Sequence, residues 1–161
     1  MEIEGHDIQL KHLDKVFFPK PDLTKGDLVT YYNTAASVMV PLIKDHPISM
    51  QRFPDGLSGE GFFNKDTPDY FPEWIRRVSF PKREGGHFDA PVIDSAAALV
   101  FLANQAVITP HLYLSRVDDL EHPDRMIFDL DPPHENKDYS VVRKAALDIR
   151  VVMRELDLMC W

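Results

Sequence analysis

The chain has 161 residues, 44% of them hydrophobic and 27% charged, which suits one globular domain with a real core and is short for two. Its 18 basic and 26 acidic residues give a net charge of −8. The charge is spread over both halves, with 9 basic and 12 acidic groups in residues 1–80 and 9 and 14 in residues 81–161, so a basic nucleic-acid arm is excluded and any nucleic-acid contact must rest on a few placed cations.

DIQLKHL alternates in part and KVFFP is apolar, so the first twenty residues are expected to form short strands. LTKGDLVTYYNTAASVMVPLI follows, with Leu28, Tyr31, Tyr32, Ala35 and Met39 at helical spacing. Thr24 stands as its N-cap with Asp27 three residues on, and Pro41 is expected to end it. Short strands are expected at 48–53, 61–65, 77–82 and 90–94, joined by Gly- and Pro-bearing turns. DSAAALVFLANQA, 94–106, reads as a second helix, capped by Asp94 or Ser95 and apolar nearly all round, hence buried.

HLYLSR (111–116) and RMIFDLD (125–131) read as adjacent strands. SVVRKAALDIRVVMREL (140–156) reads as a long helix with Val141, Val142, Ala145, Ile149, Val152 and Leu156 on one side. Leu158 to Trp161 then looks like the start of a strand, giving a βαβ-like unit cut before its last member. A truncated longer protein is expected, the alternative being a tail that docks its apolar side chains. The chain shows no internal repeat. The expectation is a single α+β (mixed α/β) domain over 1–161, with a mixed sheet and about three helices. One cysteine, Cys160, excludes a disulfide framework and a cysteine-rich zinc site. The acidic N-terminus lacks a secretion signal and no apolar run approaches the ~18 residues of a membrane span, so a cytoplasmic protein is expected.

Asp129 and Asp131 lie among Met126, Ile127, Phe128 and Leu130, residues that belong in a core, so their charges need compensation. On a strand they share a face, about 7 Å apart at Cα, where two carboxylates can hold a hard divalent cation. The alternative is pairing with arginine or capping a turn before Pro132. His111, sharing a face with Tyr113 and Ser115, is placed either to bond a phosphate or sugar or as a structural histidine. Lys25 in the first turn of a helix opposes the macrodipole unless an anion sits there, where free backbone N–H groups would join it. Lys15 can reach the same spot; the alternative is two solvated lysines. Phe62 and Phe63 precede Lys65. If the Gly-flanked segment is irregular, both rings offer a stacking platform for bases; in a strand, at least one is core. Arg52 is a candidate phosphate ligand.

DKVFFP, LTKGDLVTYY, RFPDG, GEGFFNK, LANQA, H-x-x-LSRVDD and PDRMIFDLDPP stand in the order seen in one family. From about residue 5 to its end, the chain resembles the polymerase domain of the bacterial non-homologous end-joining ligase, ligase D, a member of the archaeo-eukaryotic primase superfamily. The resemblance implies a primase/polymerase-like core and a template-directed nucleotidyltransferase that fills gaps at double-strand breaks and readily uses ribonucleotides. It implies Mn2+ or Mg2+ at Asp129 and Asp131 as catalytic metal ligands, manganese by preference. His111 is then at the phosphates of the incoming nucleoside triphosphate, and Lys15 and Lys25 at the 5′-phosphate of a DNA end. Phe62 and Phe63 contact DNA nearby, with Lys65 as a phosphate contact. The partners implied are 5′-phosphorylated, gapped or overhanging DNA ends, a ligase module and the Ku end-binding protein, at a nucleoid-associated cytoplasmic location.

The chain departs from that family at His111-Leu112-Tyr113, where His-Pro-Trp is frequent. The family's Ser-x-His turn and third acidic metal ligand follow the long helix, and this chain reaches neither. The expectation is therefore the N-terminal portion of the domain, without the final strands or a whole catalytic centre. The alternative is a non-catalytic DNA-end-binding module or a subunit completed by a partner. A sugar- or phosphate-transferring D-x-D enzyme fits less well, because the motif lies late and Pro132-Pro133 follows it.

Overall fold

Residues 1–132 and 138–160 are described by a computed structural model, in two units, Met1–Arg125 and Met126–Trp161. Pro133, of the expected Pro-Pro stop, and Trp161, of the expected final strand, lie outside the described residues. In the first unit, β1 (Glu2–Ile3) and β2 (His6–Asp7) form a small hairpin, and β3 (Val16–Phe18) pairs with β4 (Leu23–Thr24). α1 (Lys25–Ile43) begins at a cap the sequence supplies: Thr24 Oγ1 accepts from Asp27 N, and the Asp27 carboxylate accepts from Thr24 N at 2.7 Å.

The stripe buried on α1 is Leu28, Val29, Tyr32, Ala36 and Ile43, whereas Tyr31 is exposed. Tyr31 fits the helical spacing but lies beside the contact face. Pro41 does not end the helix. It sits in the last turn and forgoes a single hydrogen bond, while Lys44 N still closes on Val40 O at 2.9 Å.

β5 (Ile48–Arg52), β6 (Phe62–Asn64), the hairpin of β7 (Arg77–Pro81) and β8 (His87–Pro91), and β9 (Val107–Leu112) complete the strands. β6, β5 and β9 form one antiparallel sheet in that order, with a register shift against β9 at Gln51/Arg52. α2 (Ala96–Asn104), capped by Ser95 Oγ on Ala98 N, is buried from Ala97 to Asn104 and packs on α1. Both helices share a core with Ile8, Phe17, Ile48, Met50, Ile93 and Val107. At ~25 cal/mol per Å2 of apolar surface, this burial supplies most of the drive to fold.

β8 and β9 start three and four residues before the expected strands at 90–94 and 111–116. Cross-strand pairing decides both: Arg77 faces Pro91, and Ile48 faces Leu112. Every strand pair among the described residues is antiparallel, so the expected mixed sheet is not observed.

The second unit contains α3 (Tyr139–Glu155), capped by Asp138 on Ser140 N at 2.9 Å. It carries a Lys144–Asp148 ion pair one turn apart and buries no residue. The expected strand 125–131 is absent: Met126 to Pro132 has no regular structure, and Met126, Ile127 and Phe128 are exposed. A strand exists only where a neighbour takes its hydrogen bonds, and the described part of this unit holds no other strand. Leu158 to Cys160 likewise forms no strand; Leu158 N turns back to Met153 O at 2.8 Å.

Candidate functional site

The sequence elements around Lys15 and Lys25 fold onto one another through backbone bonds. Lys25 N donates to Lys15 O and Gly26 N to Leu13 O, both at 2.8 Å. Gly26 permits that approach, since a Cβ there would lie 3.1 Å from Leu13 O. The first amides of α1 are therefore occupied, and the free helix N-terminus expected beside Lys25 is not observed. Any anion is left to the side chains.

Those side chains converge. Lys15 Nζ lies 2.7 Å from Pro54 O and 2.5 Å from the Asp55 carboxylate. Lys25, only 7% exposed, donates from Nζ to Lys11 O at 2.7 Å. Burial lowers its pKa first, and the charges of Lys15 and Lys11 lower it further. Arg52 enters from β5, held by Gln105 O at 3.0 Å and Tyr70 Oη at 2.8 Å. Lys15, Lys25 and Arg52, with His12, line one cavity of about 150 Å3. His12, whose φ is 54°, and Gln105 carry no motif and escaped the sequence reading.

The Phe53–Gly56 turn closes this cavity. Gly56 has φ 72°, and a Cβ there would meet Phe17 Cα and Val16 O at 2.8 Å, so only glycine fits. Leu57 N then bonds Phe17 O at 2.9 Å, which brings Pro54 and Asp55 over Lys15.

Phe62 and Phe63 are both exposed, at 46% and 60%, yet they belong to a regular strand and look to opposite faces. Neither ring is in the core, and the two do not form a common platform. Phe62 lies under the Arg52 guanidinium at 5.7 Å, and Phe63 packs on His111 at 5.2 Å. His111 pairs with Ser49 across the sheet, and its Nε2 lies 3.3 Å from Gln51 Oε1. Ser49, Gln51, Phe63 and His111 thus share one face. Ser49 and Gln51 escaped the sequence reading, and alternation along β5 was the signal that marks them once β5 is paired with β9. Tyr113 instead leaves the strand to stack on Phe80 at 5.0 Å, and Ser115 is buried. Lys65 is exposed one residue past β6.

The loop after β9 is tied to the α1–β5 turn. His46 is 1% exposed, with Nδ1 3.1 Å from Lys44 O and Nε2 2.9 Å from Asp124 Oδ1. Both partners are acceptors, so the ring is held at its two nitrogens. Its hydrogen bond holds the Asp124 carboxyl below the usual carboxylate range. Asp45 accepts from Arg76 at 2.8 Å and Arg116 at 3.0 Å, chiefly the former lowering its pKa. Arg125 donates to Leu42 O at 2.6 Å.

Asp129 and Asp131 are exposed on the irregular segment of the second unit. The shared face inferred for them rested on a strand that is not there. Two carboxylates two residues apart and open to solvent still fit part of the oxygen shell of Mn2+ or Mg2+, which is completed by water and phosphate. No group of three or more His, Cys, Asp or Glu suited to a metal occurs among the described residues. No helix among them is long and apolar enough to cross a membrane.

A family profile described as "LigD, primase-polymerase domain" matches residues 24–161. The multifunctional non-homologous end joining protein LigD of Mycolicibacterium smegmatis is 33% identical over 153 residues, covering 94% of this chain and 20% of that protein. The bifunctional non-homologous end joining protein LigD of Bacillus subtilis is 29% identical, covering 89% and 22%. A solved structure, "Polymerase Domain from Mycobacterium tuberculosis Ligase D in complex with DNA", superimposes with a TM-score of 0.65 at 34% identity, over 68% of this chain and 38% of that one. The chain thus spans about a fifth of the length of these curated relatives.

Proposed function

The chain belongs to the LigD primase-polymerase family, and from that premise we propose that it acts in DNA double-strand break repair by non-homologous end joining, holding a 5′-phosphorylated DNA end for template-directed gap filling. The observation that carries this reading is the convergence of Lys15, Lys25 and Arg52 on one small cavity. Asp55 balances Lys15, which leaves Lys25 and Arg52 without a carboxylate partner among the described residues, and a phosphate dianion would supply one. The solved relative is a complex with DNA, which supports the same assignment.

In this reading Phe62 supports Arg52 beside the phosphate, and Phe63 and Lys65 contact the DNA strand. His111, steadied by Gln51, donates to the phosphates of an incoming nucleoside triphosphate. Asp129 and Asp131 would hold Mn2+ or Mg2+, which when bound supplies activation of a primer 3′-hydroxyl and charge stabilisation on the transferring phosphate. A ligase module and the Ku end-binding protein are the proposed partners. A narrower reading, a DNA-end-binding module without catalysis, is favoured by one observation: the whole phosphate pocket lies within Met1–Arg125.

Equilibrium binding to gapped duplexes with and without the 5′-phosphate tests the pocket. Charge-assisted contacts predict roughly tenfold tighter binding of the phosphorylated end. Equal affinity for the two ends refutes the assignment. Nucleotide incorporation by the same chain separates gap filling from end binding alone.

A further inference from the structure

A larger cavity of about 580 Å3 adjoins the phosphate pocket. His12, Lys25, Asn104 and Gln105 line both, so Lys25 borders the two cavities. The larger cavity adds a fourth cation, Lys11, and one carboxylate, Asp7, which pairs with the N-terminal ammonium at 3.4 Å. Lys11 is fixed from behind: its N–H donates to Asn104 Oδ1 at 3.2 Å, while Asn104 Nδ2 donates to Gln9 O at 3.0 Å. Its carbonyl accepts from Lys25 Nζ, which ties the Lys25 side chain to the Lys11 backbone, and both lysines line the cavity. Aromatic rings line the same cavity. Trp74 is stacked on His6 at 4.2 Å and meets Phe101 edge-on at 6.0 Å, with Tyr70 beside them.

A monophosphate accounts for the small cavity, Lys15 and Arg52. It leaves Lys11, one side of Lys25 and the aromatic rings without an occupant. Resting on the 5′-phosphate reading above, we propose that the larger cavity is a subsite for a second phosphoryl group joined to the 5′-phosphate, together with whatever that group carries. The chain then accepts DNA 5′ ends bearing a phosphoanhydride: Lys25 bridges the two phosphates and Lys11 holds the outer one. Two kinds of end have this chemistry, a 5′-triphosphate and a 5′ end capped by a nucleotide. The aromatic rings give the base of a nucleotide cap a surface to lie on.

The test is equilibrium binding of the full chain to four gapped duplexes that differ only at the 5′ terminus: hydroxyl, monophosphate, triphosphate and adenylyl cap. At least one anhydride-bearing end is expected to bind about threefold to tenfold more tightly than the monophosphate, as for one added charge-assisted contact. Lys11→Met is expected to erase most of that gain while costing the monophosphate end far less. A gain for the cap alone assigns the site to a nucleotide cap, and a gain for both ends assigns it to the outer phosphate. Anhydride-bearing ends that bind no better than the monophosphate, or a Lys11→Met loss equal for all four ends, overturn the subsite. A monophosphate that binds no better than the hydroxyl refutes the underlying phosphate pocket instead, and the subsite falls with it.

Discussion

Replacing Asp124 with alanine tests the tie between the loop after β9 and the α1–β5 turn. The substitution removes the acceptor at 2.9 Å from a His46 ring that is 1% exposed. An orphaned buried donor costs about 1–3 kcal/mol. The Asp124 side chain is 38% exposed, so water already screens part of its attraction, and the expected loss is about 2 kcal/mol. For a chain of this size that lowers Tm by roughly 4–8 °C. Asp124→Asn keeps an acceptor for Nε2 and should lose less than half as much.

Thermal and urea unfolding followed by circular dichroism measure both variants. The pH dependence has a definite sign. His46 lowers the Asp124 pKa in the folded state, so the stabilisation is complete above the ordinary carboxylate pKa of about 3.9 and is lost as pH falls through the lowered folded value. Wild type and Asp124→Ala should converge in acid. A wild type and Asp124→Ala within about 0.5 kcal/mol of each other at neutral pH would refute the reasoning.

Lys25 titrates below the ordinary lysine range, so preference for a 5′-phosphate should fade on the alkaline side at a lower pH than for a solvated lysine, and Lys25→Arg should keep it; a flat wild-type profile through pH 10 counts against Lys25 as the ligand. Gly56→Ala should destabilise by more than 1 kcal/mol, because of its positive φ and the 2.8 Å approach of backbone atoms, and should weaken phosphate binding by unseating the turn over Lys15; unchanged unfolding curves contradict this. Asp129→Ala should weaken Mn2+ binding, read directly by electron paramagnetic resonance of free Mn2+, with no change in Tm because the side chain is exposed; undiminished Mn2+ binding sinks the metal assignment.

The parts legible in the sequence are those fixed by local chemistry. The Thr24/Asp27 box, Ser95 at the second helix and the apolar run 96–103 announce α1 and α2 within a residue or two, because caps and burial patterns act over a single turn. Lys15 and Lys25 were joined through the family resemblance, whereas the residues alone left two solvated lysines as the alternative. Arg52 could be suspected but not joined to them, because its place depends on the Gly56 turn docking on Phe17. The run RMIFDLD failed for the opposite reason. Its composition states a strand, but strand formation is decided by a partner that local sequence does not contain. The Gln51–His111 contact likewise emerges only from the pairing of β5 with β9.

β5 sets Gln51 and Arg52, covalent neighbours, on opposite sides of one sheet. Under the proposed reading, one codon therefore separates a residue of the nucleotide face from a residue of the DNA-end pocket. Substitutions at these two positions should combine with almost no coupling in a double-mutant cycle, despite their adjacency in the chain. Deleting a single residue within β5 has the reverse effect: it exchanges the two sets of side chains and removes both surfaces at once. The strand thus leaves the side chains of each surface free to diversify separately while holding its own length fixed.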